Sequence, residues 1–545
     1  MKKLISVMLA IILIVVLAAC GNTAGNKANT NSAETNIVNT NTVENTNVAE
    51  NTNAAENTNA AENTGANEKE NRNGGLFVDG VLVPDNREED ARGNLANLAN
   101  LTEHKEKLSD DREHIWQEYI PETYTGKESV PLFVCLHGGG GTGLGAATSS
   151  GWAYLAEREN FIAIYPNGTD KTGTEYRENS WNYDYVEDNF DVEYIKILID
   201  LVCERYNIDK TRIYMGGFSN GDMMTLRFAM EYGDMLAGMF NNCGGTVPLY
   251  FLYEDGSRFN DAEPVAALPV YQWRGAKDLM FPALLFDFDF EKHGIDPDSI
   301  VTNAMNPDIT DYQKKGYVNE FNKELWIKKN GTDTLPEISI IGDQNLEIYR
   351  GGVADVFYIE YFGQGHTQFY TNTEQFWQNI MSRYARSADG KIVELKHESE
   401  LQGDVGAVGL VPDTNKVYIN NKIVELKRPV MLKNNVLYAS VDLLEKAFGA
   451  KISYLADGKQ AVIELDGKKI AIAENVAMVT VDNQLRQLFT QSVVSDEGTL
   501  MIPVKNFAEQ ILGLCYTTFN NAAYISDHFG NMTYSTSATL YRILK

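Results

Sequence analysis

The stretch Thr211-Arg212-Ile213-Tyr214-Met215-Gly216-Gly217-Phe218-Ser219-Asn220-Gly221-Asp222-Met223-Met224-Thr225-Leu226-Arg227-Phe228-Ala229-Met230 passes from an apolar run that reads as a buried strand into one that reads as a helix. At the junction stands Gly217-Phe218-Ser219-Asn220-Gly221, a G-x-S-x-G motif. A strand that turns at once into a helix brings its flanking backbone so close that side chains have no room there, hence the two glycines. The serine at the centre is left with Oγ exposed above the sheet, the placement a nucleophile needs.

Working outward, the pattern from about residue 112 to 387 alternates strands and helices. Ile115 to Ile120, Pro131 to Leu136, Phe161 to Tyr165, Arg212 to Met215, Met239 to Asn242, Val270 to Arg274 and Val356 to Tyr361 read as strands. Val192 to Arg205 carries apolar residues at Ile195, Leu198, Ile199 and Val202, one face of a helix. Asp222 to Met230 and Thr373 to Tyr384 supply further helices. Such alternation implies α/β architecture: a doubly wound, mainly parallel sheet with helices on both faces.

A serine hydroxyl is a poor nucleophile unless a base takes its proton and a third group orients the base. The expected chain order is serine, carboxylate, histidine, each on a loop after a strand. After Val270 to Arg274 comes Gly275-Ala276-Lys277-Asp278; after Val356 to Tyr361 comes Gly363-Gln364-Gly365-His366-Thr367. Asp278 is the candidate acid, with Asp287 and Asp289 as neighbouring alternatives, and His366 the candidate base. His104 and His114 precede the sheet, His137 belongs to a glycine run, and His293 follows an acidic stretch. That run, Leu136-His137-Gly138-Gly139-Gly140-Gly141, follows a strand, and its bare backbone suits an oxyanion hole. The expected donors are the N–H of Asn220 and one from Gly138 to Gly140, taken as Gly139. No G-K-[ST] follows, so the glycines are not a phosphate loop.

These residues also carry a resemblance. The run from Ile115 to Tyr384, about half the chain, resembles the poly(3-hydroxybutyrate) depolymerase and feruloyl/acetyl-xylan esterase group of α/β-hydrolases. It rests on Leu136-His137-Gly138-Gly139, Ile164-Tyr165-Pro166-Asn167-Gly168, Trp181-Asn182, Asp191-Val192, Tyr206-Asn207-Ile208-Asp209, Arg212-Ile213-Tyr214, Ser219-Asn220-Gly221 with Met224, and Gly365-His366-Thr367. The resemblance implies carboxylic-ester hydrolysis through an acyl-serine intermediate, without a cofactor or metal, and a place for Trp181 in substrate binding. Trp152, Tyr183, Tyr185 and Trp273 are further aromatic candidates for a cleft, each also readable as core. Two positions depart from the group: Asp222 stands where a second glycine is usual, and Gln368-Phe369 follows the histidine in place of Trp-Pro. A carboxylate at Asp222, beside the serine, is expected to disfavour acidic substrates. Residues 282 to 330 read as an insertion.

Beyond a charged stretch (388 to 410), residues 411 to about 530 change character. Leu437-Tyr438-Ala439-Ser440-Val441 leads into a helix ending near Gly449, and Leu500-Met501-Ile502-Pro503-Val504 into one ending near Gly513. The match is an internal duplication in a smaller α+β domain. It resembles the copper amine oxidase N-terminal-like stalk domain of surface proteins. No copper role carries over, because His397 and His528 form no cluster. A spacer or a wall- or glycan-binding module is expected.

The other end of the chain is a targeting segment. Lys2 and Lys3 precede the apolar Leu4 to Leu17, too short for a comfortable membrane span, and Leu17-Ala18-Ala19-Cys20 matches a bacterial lipobox. Cleavage before Cys20 and lipid attachment to its thiol are expected. Residues 20 to 74 repeat Asn, Thr, Ala and Glu with almost nothing apolar to bury, and read as a disordered tether. A formal net charge of −28 and a pI of about 4.7 argue against nucleic acid as a partner. A Cys203–Cys243 disulfide is open from sequence.

The expected protein is a lipid-anchored, extracellular serine esterase acting on polysaccharide or small esters, tied to the cell membrane by its acyl chains and to the cell wall through its C-terminal domain. A prolyl oligopeptidase-type peptidase and an inactive surface binding protein are the alternatives.

Overall fold

The computed structural model describes residues 76–78, 81–83, 100–169, 179–183, 190–244, 264–278, 300–301, 316–368, 370–396, 399–455, 458–488 and 493–545. Cys20, the tether, Tyr185, Asp287, Asp289, His293 and His397, with most of the 282–330 insertion, lie outside these residues.

Ten strands make one sheet: β1 Leu101–Lys107, β2 Glu113–Tyr119, β3 Val130–Leu136, β4 Ile162–Pro166, β5 Ile208–Phe218, β6 Gly238–Asn242, β7 Val270–Gly275, β8 Glu337–Ile341, β9 Gln344–Tyr349 and β10 Val356–Tyr361. Their order is β8-β9-β10-β7-β6-β5-β3-β4-β2-β1. The six strands from β10 to β4 run parallel, and an antiparallel pair flanks them at each edge. All seven strands expected from the sequence are present; β1 and the β8–β9 hairpin are additions that the sequence reading did not contain.

The parallel strands are apolar throughout because both faces are covered. Phe133 and Cys135 of β3 pack with Trp152, Phe240 and Phe376 on one face, while Leu132, Val134 and Leu136 pack with Ile195, Leu198, Met224 and Trp326 on the other. Helices α1 Gly143–Ser149, α2 Trp152–Glu159 and α6 Tyr370–Phe376 serve the first face. Helices α3 Phe190–Arg205, α4 Asn220–Tyr232 and α5 Val318–Asn330 serve the second. Trp152, Trp181 and Trp273 are each 1% exposed, so these three aromatics are core and not cleft lining. Cys203 and Cys243 carry free thiols, which settles the open disulfide question.

The C-terminal duplication is visible as geometry. Strand Val436–Ser440 with helix α7 Asp442–Phe448 matches strand Thr499–Pro503 with the helical stretch 504–512. The two strands pair antiparallel, Ala439 opposite Ile502. Strand Val408–Leu410 pairs with Ala522–Ser526, so the domain begins slightly before residue 411. It also extends past 530, because helix α8 Tyr534–Leu544 closes it.

The two regions share a core. Ile338 and Ile340 of the sheet-edge strand β8 pack with Tyr418, Tyr524, Tyr534, Leu540 and Leu544. Asn345 of β9 donates to the Asn531 carbonyl at 2.7 Å and accepts from the Thr533 N–H at 2.9 Å. The buried Lys323 ammonium of α5 donates to Glu347 at 2.9 Å and to Thr539 of α8 at 3.2 Å. A domain held this way is not a flexible spacer.

Candidate active site

The carboxyl ends of β3, β5, β6, β7 and β10 lie along one edge of the sheet, where open α/β sheets place their ligands. Ser219 joins β5 to α4 with φ 56° and ψ −116°. A positive φ is unusual for a side-chain-bearing residue and here lifts Ser219 out of both elements. The glycines around it are required by contact. A Cβ on Gly217 would stand 2.3 Å from the Gly221 carbonyl carbon, and one on Gly221 would stand 2.3 Å from the Leu136 oxygen.

His366 and Asp278 come together as expected, with Nδ1 of the imidazole 2.8 Å from Oδ2 of the carboxylate. Asp278 is buried and His366 is 18% exposed, so the acid is sheltered while the ring reaches the surface. Their loops are fastened to each other. The Lys277 N–H donates to the Gln364 carbonyl at 2.8 Å and the Ala276 N–H to the Tyr361 carbonyl at 2.9 Å. Gly275 makes this possible, since a Cβ there would lie 2.3 Å from the Gln364 and Gly365 oxygens. The His366 ring lies 4.8 Å, centroid to centroid, from that of Phe218, the neighbour of Ser219.

The glycine loop after β3 lies against the start of α4. A Cβ on Gly139 would be 3.6 Å from that of Asn220. Among the described residues, the backbone N–H groups of Gly139 and Asn220 have no hydrogen-bond acceptor, whereas that of Gly140 donates to Ser180 Oγ at 3.2 Å. Two unspent donors side by side are what an oxyanion needs.

His137 holds this loop. Its Nδ1 lies 2.7 Å from the Gly138 carbonyl and its Nε2 accepts the Gly168 N–H at 2.9 Å, which sets the tautomer with the proton on Nδ1. Burial pushes its pKa down to about 4, so the ring stays neutral in this role. Trp181, expected at the substrate cleft, acts from inside. Its indole N–H donates to the His137 carbonyl at 2.9 Å and its backbone N–H to Asn220 Oδ1 at 2.7 Å. It braces the donors and does not offer a face to substrate. The sequence marked His137 only as part of a glycine run and gave Trp181 to substrate binding, because bracing depends on burial.

Asp222 is also not where the sequence reading put it. It is 5% exposed and accepts from Asn241 Nδ2 and, at 2.5 Å, from the Gly244 N–H. The carboxyl thus ties α4 to the chain leaving β6 and faces no acidic substrate. Desolvation raises its pKa from 3.8 to about 7 despite these donors. A raised folded pKa means that its stabilising effect is full below the unfolded pKa and is lost as pH rises through the folded one. The rise of about three units corresponds to about 4 kcal/mol at most. Asp222→Asn, a mimic of the protonated form, is therefore expected to flatten the thermal midpoint between pH 4 and 7 and to raise it above pH 7. Thermal unfolding of both proteins across that range checks this, and a parallel loss of stability in the variant at every pH would count against it.

A ten-stranded sheet with a serine at a strand–helix elbow, a histidine–carboxylate pair after later strands and a glycine loop against the elbow defines the α/β-hydrolase fold. Its relatives are esterases of the acetylxylan esterase and poly(3-hydroxyalkanoate) depolymerase type. The chain is 21% identical over 255 residues to the bifunctional acetylxylan esterase/xylanase of Neocallimastix patriciarum, covering 46% of this chain and 31% of that one. It is 30% identical over 122 residues to poly(3-hydroxyalkanoate) depolymerase C of Paucimonas lemoignei, covering 22% and 28%. The match thus spans about a third of the length of these curated relatives. Among solved structures, an acetyl xylan esterase from Aspergillus awamori aligns with 51% of this chain and 98% of that one, at 16% identity and a TM-score of 0.37. Residues 418–514 match the copper amine oxidase N-terminal domain.

Proposed function

We propose that the chain is a serine hydrolase of carboxylic esters. The carrying observation is the coincidence, at one sheet edge, of Ser219 at φ 56°, the 2.8 Å His366–Asp278 pair and the N–H groups of Gly139 and Asn220, which have no acceptor among the described residues. In this reading Ser219 Oγ attacks the ester carbonyl while Nε2 of His366 takes its proton. Asp278 holds Nδ1–H, keeping Nε2 free to accept and stabilising the imidazolium that forms. Negative charge collects on the former carbonyl oxygen, where Gly139 and Asn220 donate to it. The imidazolium then protonates the leaving alcohol, and water, activated by the same nitrogen, releases the acid from the acyl-serine.

Acetyl or feruloyl esters of polysaccharide are the substrate class, and the named activities of the relatives support it. The lipobox ending at Cys20 supports a lipid-anchored, extracellular position, facing polymeric substrate outside the membrane. The C-terminal domain supports contact with the cell wall only through its family resemblance.

Hydrolysis of p-nitrophenyl acetate, methyl ferulate and acetylated xylan by the purified chain tests the reading. Turnover of all three, with the ratio of the first two fixing the acyl preference, is the expected result. A folded protein that leaves all three esters intact but cleaves a proline-containing peptide amide would overturn it in favour of a peptidase.

A further inference from the structure

The proposed reaction uses Asp278 and His366, but a third chemically active group lies against them. Cys243 follows β6 directly. Its thiol lies 3.4 Å from the Thr367 carbonyl, in the histidine's own loop. One ligand atom each of Cys243, Asp278 and His366 lies within 4.8 Å of the others. Adjacent loops after β6, β7 and β10 thus bring a soft sulfur, a borderline nitrogen and a hard oxygen to one point. Ester hydrolysis gives the sulfur no task, and a small apolar residue would fill the same space.

We propose that Cys243, Asp278 and His366 form an inhibitory site for zinc or cadmium behind the acid–base pair. Thiolate, imidazole and carboxylate are the ligand types of tetrahedral zinc. Zinc bonds of about 2.0–2.3 Å place neighbouring ligand atoms roughly 3.3–3.6 Å apart. To meet that, the longest separation in the cluster shortens by about 1 Å while the 2.8 Å contact between His366 and Asp278 opens by about 0.5 Å, movements of loop-borne side chains. Water or the Thr367 carbonyl completes the tetrahedron.

The proton balance explains the inhibition. The ion takes the sulfur as thiolate, so one proton leaves Cys243 for solvent. It also takes the Nδ1 lone pair, so the imidazole's single proton moves from Nδ1 to Nε2. The nitrogen that should accept the Ser219 proton now carries one, and the base is lost without Ser219 being touched. The burial of Cys243 and Asp278 makes entry slow and favours ions that shed water readily. The inhibitory consequence rests on the proposed serine mechanism; the binding does not.

The experiment is a cadmium titration of the full chain, reading the ultraviolet thiolate-to-cadmium charge-transfer band and the protons released, with zinc inhibition of ester hydrolysis in parallel. The expected result is one charge-transfer site releasing one proton, and inhibition reversed by a chelator. In Cys243→Ser that band is lost although Cys20, Cys135, Cys203 and Cys515 remain, and zinc no longer lowers the variant's rate relative to its own metal-free rate. His366→Gln, which leaves the thiol in place, is expected to weaken cadmium binding at least about tenfold. A band that persists in Cys243→Ser, no band in the wild type, or unchanged affinity in His366→Gln overturns the site. If the wild type binds cadmium through Cys243 but hydrolyses no ester, the site stands and the esterase reading falls.

Discussion

Ser219→Ala is expected to lower kcat for ester hydrolysis by about 10⁴- to 10⁶-fold, with little change in fold or substrate binding. The size follows from what the hydroxyl does. Without it no acyl-enzyme forms, and the His366–Asp278 pair can only activate water held at the wrong distance. The stability side follows from the local structure. The Ser219 side chain makes no capping hydrogen bond to α4, and its backbone N–H donates to the Asn242 carbonyl at 2.8 Å whatever the side chain is. The positive φ costs alanine about what it costs serine, so the elbow is retained. A residual rate about 10³-fold above water is expected from the Gly139 and Asn220 donors, which the substitution leaves in place. Steady-state hydrolysis of p-nitrophenyl acetate, beside the thermal midpoint, measures both. A variant that keeps a tenth of the activity would remove Ser219 from the mechanism.

How this site is written in the chain differs from residue to residue. Ser219, Asp278 and His366 were legible because each sits just after an apolar strand and beside glycines, and strand, turn and glycine are local features. The glycines at 217, 221 and 275 are there for backbone approach, so they signal geometry directly. Trp181 was misread for the opposite reason. An indole is equally at home in a cleft and in a core, and only the partner of its N–H, the His137 carbonyl, decides between them. Asp222 replaced an expected glycine and looked like a charge placed beside substrate. Its carboxyl instead meets Asn241 and Gly244, some twenty residues away in sequence, so no local pattern reported it.

The C-terminal domain shows the same limit at larger scale. Its duplication was legible because two copies of one pattern recur along the chain. Its attachment was not, because the β8–β9 hairpin carries no motif and its partners are about two hundred residues away. Read alone, the repeat suggested a spacer or a wall- or glycan-binding module, and the core it shares with β8 had no local sign.

Deleting residues 531–545 is therefore expected to unfold the hydrolase region as well. Helix α8 buries Tyr534, Leu540 and Leu544 almost completely against Ile338 and Ile340 of β8. Returning the exposed partners of three such side chains to water costs about 2 kcal/mol for each, or about 6 kcal/mol together. Polar losses add to this. Lys323, fully buried, keeps Glu347 but loses Thr539, and Asn345 loses both the Asn531 carbonyl and the Thr533 N–H. The Ser535 N–H, 3.3 Å from the buried Glu360 carboxylate, goes too. Each buried polar group left unmatched costs about 1–3 kcal/mol, and the sum reaches the whole stability of an ordinary domain, about 5–15 kcal/mol. The truncated chain should fail to give a soluble monomer with a cooperative thermal transition, and should lose hydrolysis although every residue of the candidate site is present. Leu540→Ala offers a milder test, with a loss of about 2–5 kcal/mol and a single lowered transition for the hydrolase and C-terminal regions together. Two separate transitions, with the hydrolase midpoint unmoved by either change, would mean that the domains fold independently and that the shared core contributes nothing to holding the catalytic sheet.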